Sequence, residues 1–505
     1  MTTHVAELRE RLAEIEDLRS AAELLGWDQN TKMPPAGAPR RAEVLSTLER
    51  VSHERFVDAE IGRLLERAEG ELDGSGPEDD DVALVRLTRR EWEKARRVPA
   101  SLAAELAHAA SAGQEAWVAA RRADDFSLFA PHLERNLELK RRYAECFEEF
   151  ACPYDALLDD YEPGMTAAEV RVLFAQLRDA LVPLIARVTE HQIDNAILFG
   201  DFDIEAQRRL VGEVLQSMGF TPDSWRLDDA VHPFATSFGT TDVRITDRWE
   251  REYFASSLYG AMHECGHGLY EAGISPALMR TPLGHGVSLG VHESQSRLWE
   301  NMVGRGRPFA EVLAPKVRSL FGGALADLTP DALYRAVNRI APSLIRVEAD
   351  EATYGLHIVI RFELEQDLID GRLSVADAAE AWNAKYQEYL GIAVPSNAQG
   401  VLQDVHWSAG LIGYFPTYAL GNMIAGQLWE KVRRDLPDLD ACLAAGELTP
   451  LREWLRREVH THGARFTTRE LLERVVGGPI AVDPFVSYLK AKLGDVYGLD
   501  LELRP

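Results

Sequence analysis

Apolar residues recur at three- and four-residue steps through most of the chain. In residues 5–25, Leu8, Leu12, Ile15, Leu18, Ala22 and Leu25 fall on one face of a helix. The next segment, GWDQNTKMPPAGAP, interrupts the pattern with prolines and glycines. Periodic stretches resume around 41–69, 81–122, 132–151, 167–195 and 204–218, with Asp201 and Asp203 flanking a helix start after Gly200. Only VHPFATSFGTTDVRITDRW departs from helical spacing. Its β-branched and aromatic residues around a Gly-Thr-Thr turn predict a short hairpin over about 231–247. Helical patterning then returns from about 249 to the end, with breaks near Pro276, Pro282, Pro395 and Pro416. No repeat, low-complexity tract or long linker divides the chain. The pattern predicts a mainly α fold, one domain over residues 1–505, with two helical lobes around a groove and one small β-hairpin.

Charge and cysteine usage narrow the function classes. A net charge of -26, from 55 basic and 81 acidic side chains, argues against a nucleic-acid partner. Cys146, Cys152, Cys265 and Cys442 lack metal-ligand spacing and read as free thiols in a reducing compartment. No apolar run approaches the ~20 residues that span a bilayer, and the N-terminal segment does not resemble a secretory signal. The expectation is a soluble cytoplasmic protein with no membrane partner.

The chemistry concentrates in REYFASSLYGAMHECGHGLYEAG, which carries His263-Glu264-Cys265-Gly266-His267. On a helix, H-E-x-x-H sets its histidines one above the other, so that both imidazoles can reach one metal. Glu264 then lies beside the metal without ligating it, placed to act on water. Cys265 faces away and reads as packing. The bland alternative is a helix with two buried, hydrogen-bonded histidines. A catalytic zinc takes three protein ligands, and SLGVHESQSRLWENMVG reads as a second helix that offers the third. Glu293 is the better candidate there, with His292 and the loop residue His285 as rivals.

Further motifs accompany this one. HPF stands at His232–Phe234, DVRIT at Asp242–Thr246 and HESQS at His292–Ser296. IRVEADEATYGLHI follows at Ile345–Ile358, GVLQDVHW at Gly400–Trp407, and WDQNTKMPPAG opens at Trp27. In order and approximate spacing the chain resembles the M32 metallocarboxypeptidases over nearly its whole length. The resemblance implies an almost all-helical metallopeptidase fold with a deep central groove and a metal at its floor. It implies a homodimer, and release of single C-terminal residues from peptides with a free C-terminus, broadly but poorly at proline. It places His263, His267 and Glu293 as ligands of zinc, for which cobalt can substitute, and Glu264 as general base.

Peptide hydrolysis also needs an oxyanion donor and, for an exopeptidase, a cation for the terminal carboxylate. Tyr418, twelve residues after His406, is the candidate donor and Tyr414 its competitor; a core tyrosine is the structural alternative. Arg346 and Arg244 are the candidate carboxylate binders, Arg346 favoured, and either can instead be locked to a neighbouring carboxylate. His232, Gln403 and His406 are expected to line the groove, and the hairpin to offer an edge strand to the substrate backbone. Two other readings stand beside this one. An oligopeptidase or dipeptidyl-carboxypeptidase shares the metal core, and a helical interaction protein with structural zinc would need a fourth protein ligand.

Overall fold

The computed structural model describes residues 3–76 and 78–501. Helices dominate, beginning with α1 (Thr3–Thr31), α2 (Ala38–Phe56), α3 (Ala59–Glu71) and α4 (Asp80–Arg97). α1 continues past the break expected after Leu25. The Asn30 amide and Thr31 hydroxyl bond back to the Gly26 and Trp27 carbonyls, and Pro34 and Pro35 lie beyond its end. The long periodic stretch at 81–122 is two helices. Val98, next to Pro99, takes an extended conformation (φ -79°, ψ 117°), and a new helix runs from Ala100 to Ala123. Val5, Leu8, Leu12, Leu64 and Leu84 form a small core apart from the main one, closed by Ile274, Leu278 and Leu283. The N-terminal helices thereby grip the segment that immediately follows the H-E-x-x-H helix.

The expected hairpin is present, as β2 (Ala235–Ser237) antiparallel to β3 (Val243–Asp247), with Ala235 opposite Ile245. A further strand, β1 (Trp225–Asp229), pairs in parallel with β3 and makes a three-stranded sheet of order β1-β3-β2. Its sequence, WRLDD, is too short and acidic to read as a strand, and β3 holds it there. β2 is left as an edge.

The motif helix, Phe254–Gly273, is buried on almost every side and packs on this sheet. The next helix, Leu289–Arg297, is wedged between it and the helix Pro416–Asp435. Two glycines allow that wedge. A Cβ on Gly266 would sit 2.7 Å from Ser296 Cα, and one on Gly421 would sit 2.7 Å from Glu293 Cβ. Beyond Arg297 the helix widens into a π turn, Leu298–Gly304. Among the described residues no helix is long and apolar enough to cross a membrane.

Candidate metal centre

His263 and His267 project from one face of the motif helix, their ring centroids 4.9 Å apart. Glu293 meets both from the neighbouring helix. Its Oε2 lies 3.6 Å from His263 Nε2 and 3.4 Å from His267 Nε2. Ligands ~2.1 Å from a tetrahedral ion lie ~3.4 Å apart, so the three atoms are spaced to share one cation. Among the described residues no other group of three or more His, Cys, Asp or Glu residues converges in this way. Two nitrogens and one carboxylate oxygen leave a fourth position for water or substrate, which suits a catalytic rather than a closed structural site.

The partners of these three side chains explain their orientation. His263 Nδ1 lies 2.9 Å from Glu300 Oε2, and Glu300 is itself gripped by Arg305 and Arg297. Arg297 also donates to Glu293 Oε1 at 2.7 Å. Burial would raise the Glu293 carboxyl, but Arg297 and His263 outweigh it and hold the group far below the usual carboxylate range. His267 Nδ1 lies 2.6 Å from His292 Nδ1, and His292 Nε2 lies 2.8 Å from Glu271 Oε1. Burial pushes His267 down to about 4, which leaves a neutral imidazole ready to ligate. Ser288 caps the Leu289–Arg297 helix by accepting from Val291 N at 3.2 Å. Glu162, fully enclosed, accepts from Gly290 N at the same end, and burial pushes its carboxyl up to about 8.

Glu264 is 8% exposed, beside the triad but outside it. Burial pushes its carboxyl up to about 7, near the pKa a general base needs at neutral pH. Cys265 is fully buried, a packing residue as its helical position predicts.

Aromatic side chains stand on the Glu293 side of the centre. His406 Nε2 lies 3.2 Å from the Tyr418 hydroxyl, and the Tyr414 and Tyr418 rings meet edge to face at 5.5 Å. The Arg346 guanidinium lies 4.9 Å from the Tyr418 ring centroid, donates to Asp404 at 2.9 Å and to the Tyr354 hydroxyl at 3.0 Å. Arg361 shares the same Asp404 from the other side at 2.7 Å. Gln403 is consumed by the framework: its carbonyl accepts from Arg346 N and Arg361, and its amide donates to the Leu344 carbonyl. Arg244 is bound bidentately by Asp242 and stacked between Trp27 (4.4 Å) and Phe238 (4.8 Å). His232 is exposed on the loop before β2. On the His267 side lies a cavity of about 160 Å³, lined by Glu23, Thr236, Ser237, Glu271 and His285 among others. His285 is tied to Glu16 at 3.2 Å and does not join the triad.

Sequence reasoning passed over Arg297, Glu300, Arg305, Glu271 and Asp404. Arg297 was within reach, because it follows Glu293 by one helical turn, a spacing at which unlike charges pair. Glu300 and Arg305 were not, because the π turn that contains Glu300 and ends just before Arg305 changes which residues share a face.

A sequence profile of the carboxypeptidase Taq (M32) metallopeptidase family matches residues 7–493. Thermostable carboxypeptidase 1 of Thermus thermophilus is 44% identical over 95% of this chain and 96% of its own length. Carboxypeptidase 1 of Bacillus subtilis is 38% identical over 98% and 99%. The crystal structure of the M32 carboxypeptidase from Deinococcus radiodurans superposes with a TM-score of 0.95 at 41% identity, covering 99% of this chain and all of that one.

Proposed function

This chain belongs to the carboxypeptidase Taq (M32) metallopeptidase family, and on that premise we propose a zinc carboxypeptidase in which His263, His267 and Glu293 hold the metal and Glu264 is the base. Family membership makes it a metallocarboxypeptidase acting on peptides. The observation that carries the finer reading is the convergence of His263 Nε2, His267 Nε2 and Glu293 Oε2, with Glu264 buried alongside. Borderline-soft zinc suits two neutral imidazoles and one carboxylate, and cobalt can replace it in the same donor set. A divalent ion held there supplies Lewis-acid polarisation of the scissile carbonyl and acidifies water at neutral pH.

The protein's own groups do the rest. Glu264 takes the proton of the attacking water and delivers it to the leaving amine. Tyr418 donates its hydroxyl hydrogen to the developing oxyanion. His406 supports that role. With its proton on Nε2, His406 would donate to the Tyr418 oxygen 3.2 Å away and free the phenolic hydrogen for substrate. Arg346 receives the terminal carboxylate. Among the described residues Asp404 is the one carboxylate shared by Arg346 and Arg361, so the cluster keeps a surplus positive charge that a substrate carboxylate would balance. Arg244 gives two of its five N–H groups to Asp242 and stacks between Trp27 and Phe238, which leaves it the second candidate for the terminal carboxylate. Gln403 orients the Arg346 backbone, and His232, exposed before β2, is the remaining candidate to meet substrate.

Membership of the family is what supports broad side-chain tolerance, weak action at proline and a homodimer. The four free cysteines support a reducing, cytoplasmic setting. Glu264→Gln tests the mechanism: it is expected to bind metal as the wild type does while turnover falls at least ~10²-fold. Wild-type turnover in that variant would remove Glu264 from the role of base.

A further inference from the structure

The two histidines of the motif are oriented by different means, and one arrangement has a defined proton order. We propose that Glu271 and His292 form a positioning relay that fixes the tautomer and ring orientation of His267. The inference rests on the metal-site reading above. If His267 ligates through Nε2, that atom offers its lone pair and carries no proton. Its hydrogen is then on Nδ1, which lies 2.6 Å from His292 Nδ1. His292 Nδ1 must accept, so the His292 proton is on Nε2, 2.8 Å from Glu271 Oε1. Each link determines the next, and the chain ends on an ionised carboxylate.

The relay is held on every side. Glu271 Oε1 also accepts from Gly286 N at 3.2 Å, and its Oε2 accepts from the Ser237 hydroxyl of β2 at 3.3 Å. The His292 ring packs 5.1 Å from the Tyr270 ring, and a Cβ on Gly286 would approach His292 Cδ2 to 2.8 Å. The imidazole therefore has little room to turn. A carboxylate that directly supports a ligating histidine is a common device. Here a neutral imidazole stands between them, so the supporting charge lies one side chain farther from the metal and borders the cavity that β2 lines.

Chelator competition for cobalt, with the visible spectrum of the bound ion as a second readout, tests the relay. His292→Ala is expected to lower cobalt affinity ~10–100-fold and to shift the spectrum. Glu271→Gln, nearly isosteric, is expected to lower it up to ~10-fold. Thr236→Val, which lines the same cavity outside the relay, should leave affinity and spectrum unchanged. Wild-type affinity and spectrum in both His292→Ala and Glu271→Gln would overturn the relay. If His292→Ala fails to fold by circular dichroism, Glu271→Gln decides alone. Wild-type protein that binds no cobalt would overturn the metal-site reading itself, a result distinct from loss of the relay.

Discussion

His263 and His267 stand one helical turn apart, yet their surroundings are opposite in kind. His263 leans on Glu300, a carboxylate flanked by Arg297 and Arg305, and all three come from the short stretch 297–305. His267 leans on the His292 imidazole, and the carboxylate behind it is bonded to β2 and to the 286 loop. The first support is dense in charge and local in sequence. The second draws distant segments together and borders the cavity beside His267. A metal centre needs both properties, because it must be held rigidly and must also be joined to the elements that present substrate. The difference suggests that damage on the two sides will read out differently, as lost stability on one and lost metal affinity on the other.

Removing Glu300 should have the largest effect. Glu300→Ala strands Arg305 and half of the Arg297 interaction in a buried setting, which costs about 3–5 kcal/mol in denaturant unfolding of the metal-free protein. Glu271→Ala should cost the metal-free protein only about 1–3 kcal/mol, its main effect falling on metal affinity. Equal destabilisation by the two variants would erase the contrast. On the aromatic side, Tyr418→Phe is expected to lower kcat about 10²–10³-fold with KM little changed, measured on a small blocked dipeptide. Arg346→Ala should act the other way, raising KM for peptides with a free carboxylate more than it lowers kcat.

A further test uses pH and sharpens the view of the Glu293 helix. Burial lifts the Glu162 carboxyl from its ordinary value to about 8. A carboxyl raised on folding contributes stability that is complete below its unfolded pKa and is lost as pH rises through the folded one. Stability should therefore drain away between about pH 4.5 and pH 8. Glu162→Gln cannot ionise, so its stability relative to wild type should improve between pH 5 and pH 8, by on the order of 3 kcal/mol. A pH-independent difference would show that Glu162 is ionised in the folded protein.

Much of this site was legible in the sequence, for identifiable reasons. His263, Glu264 and His267 occupy adjacent turns of one helix, so their spacing alone sets their geometry. Glu293 lies in the next helix, after a connection broken by prolines and glycines, where few alternatives competed. The supports were hidden because each depends on pairing between elements. Glu271 falls one turn after His267 on the same helix, but its link to that histidine runs through His292 from the next helix. Asp404 sits inside the quoted GVLQDVHW motif, but its value comes from meeting Arg346 and Arg361 from elsewhere. β1 was invisible for the same reason, since its strand character is supplied by β3. The split at Val98-Pro99 is different: the proline was there to be read, and the strong periodicity on both sides obscured it.

The central claim is that a metal held by His263, His267 and Glu293 serves Glu264 in removing C-terminal residues. The most direct measurement is mass spectrometry of metal-loaded protein acting on an unblocked peptide and on its C-terminally amidated twin, with EDTA-treated protein and Glu264→Gln alongside. The account predicts stepwise loss of single residues from the free peptide only, abolished in both controls. Cleavage of both peptides at internal bonds, or turnover that survives EDTA, would contradict it.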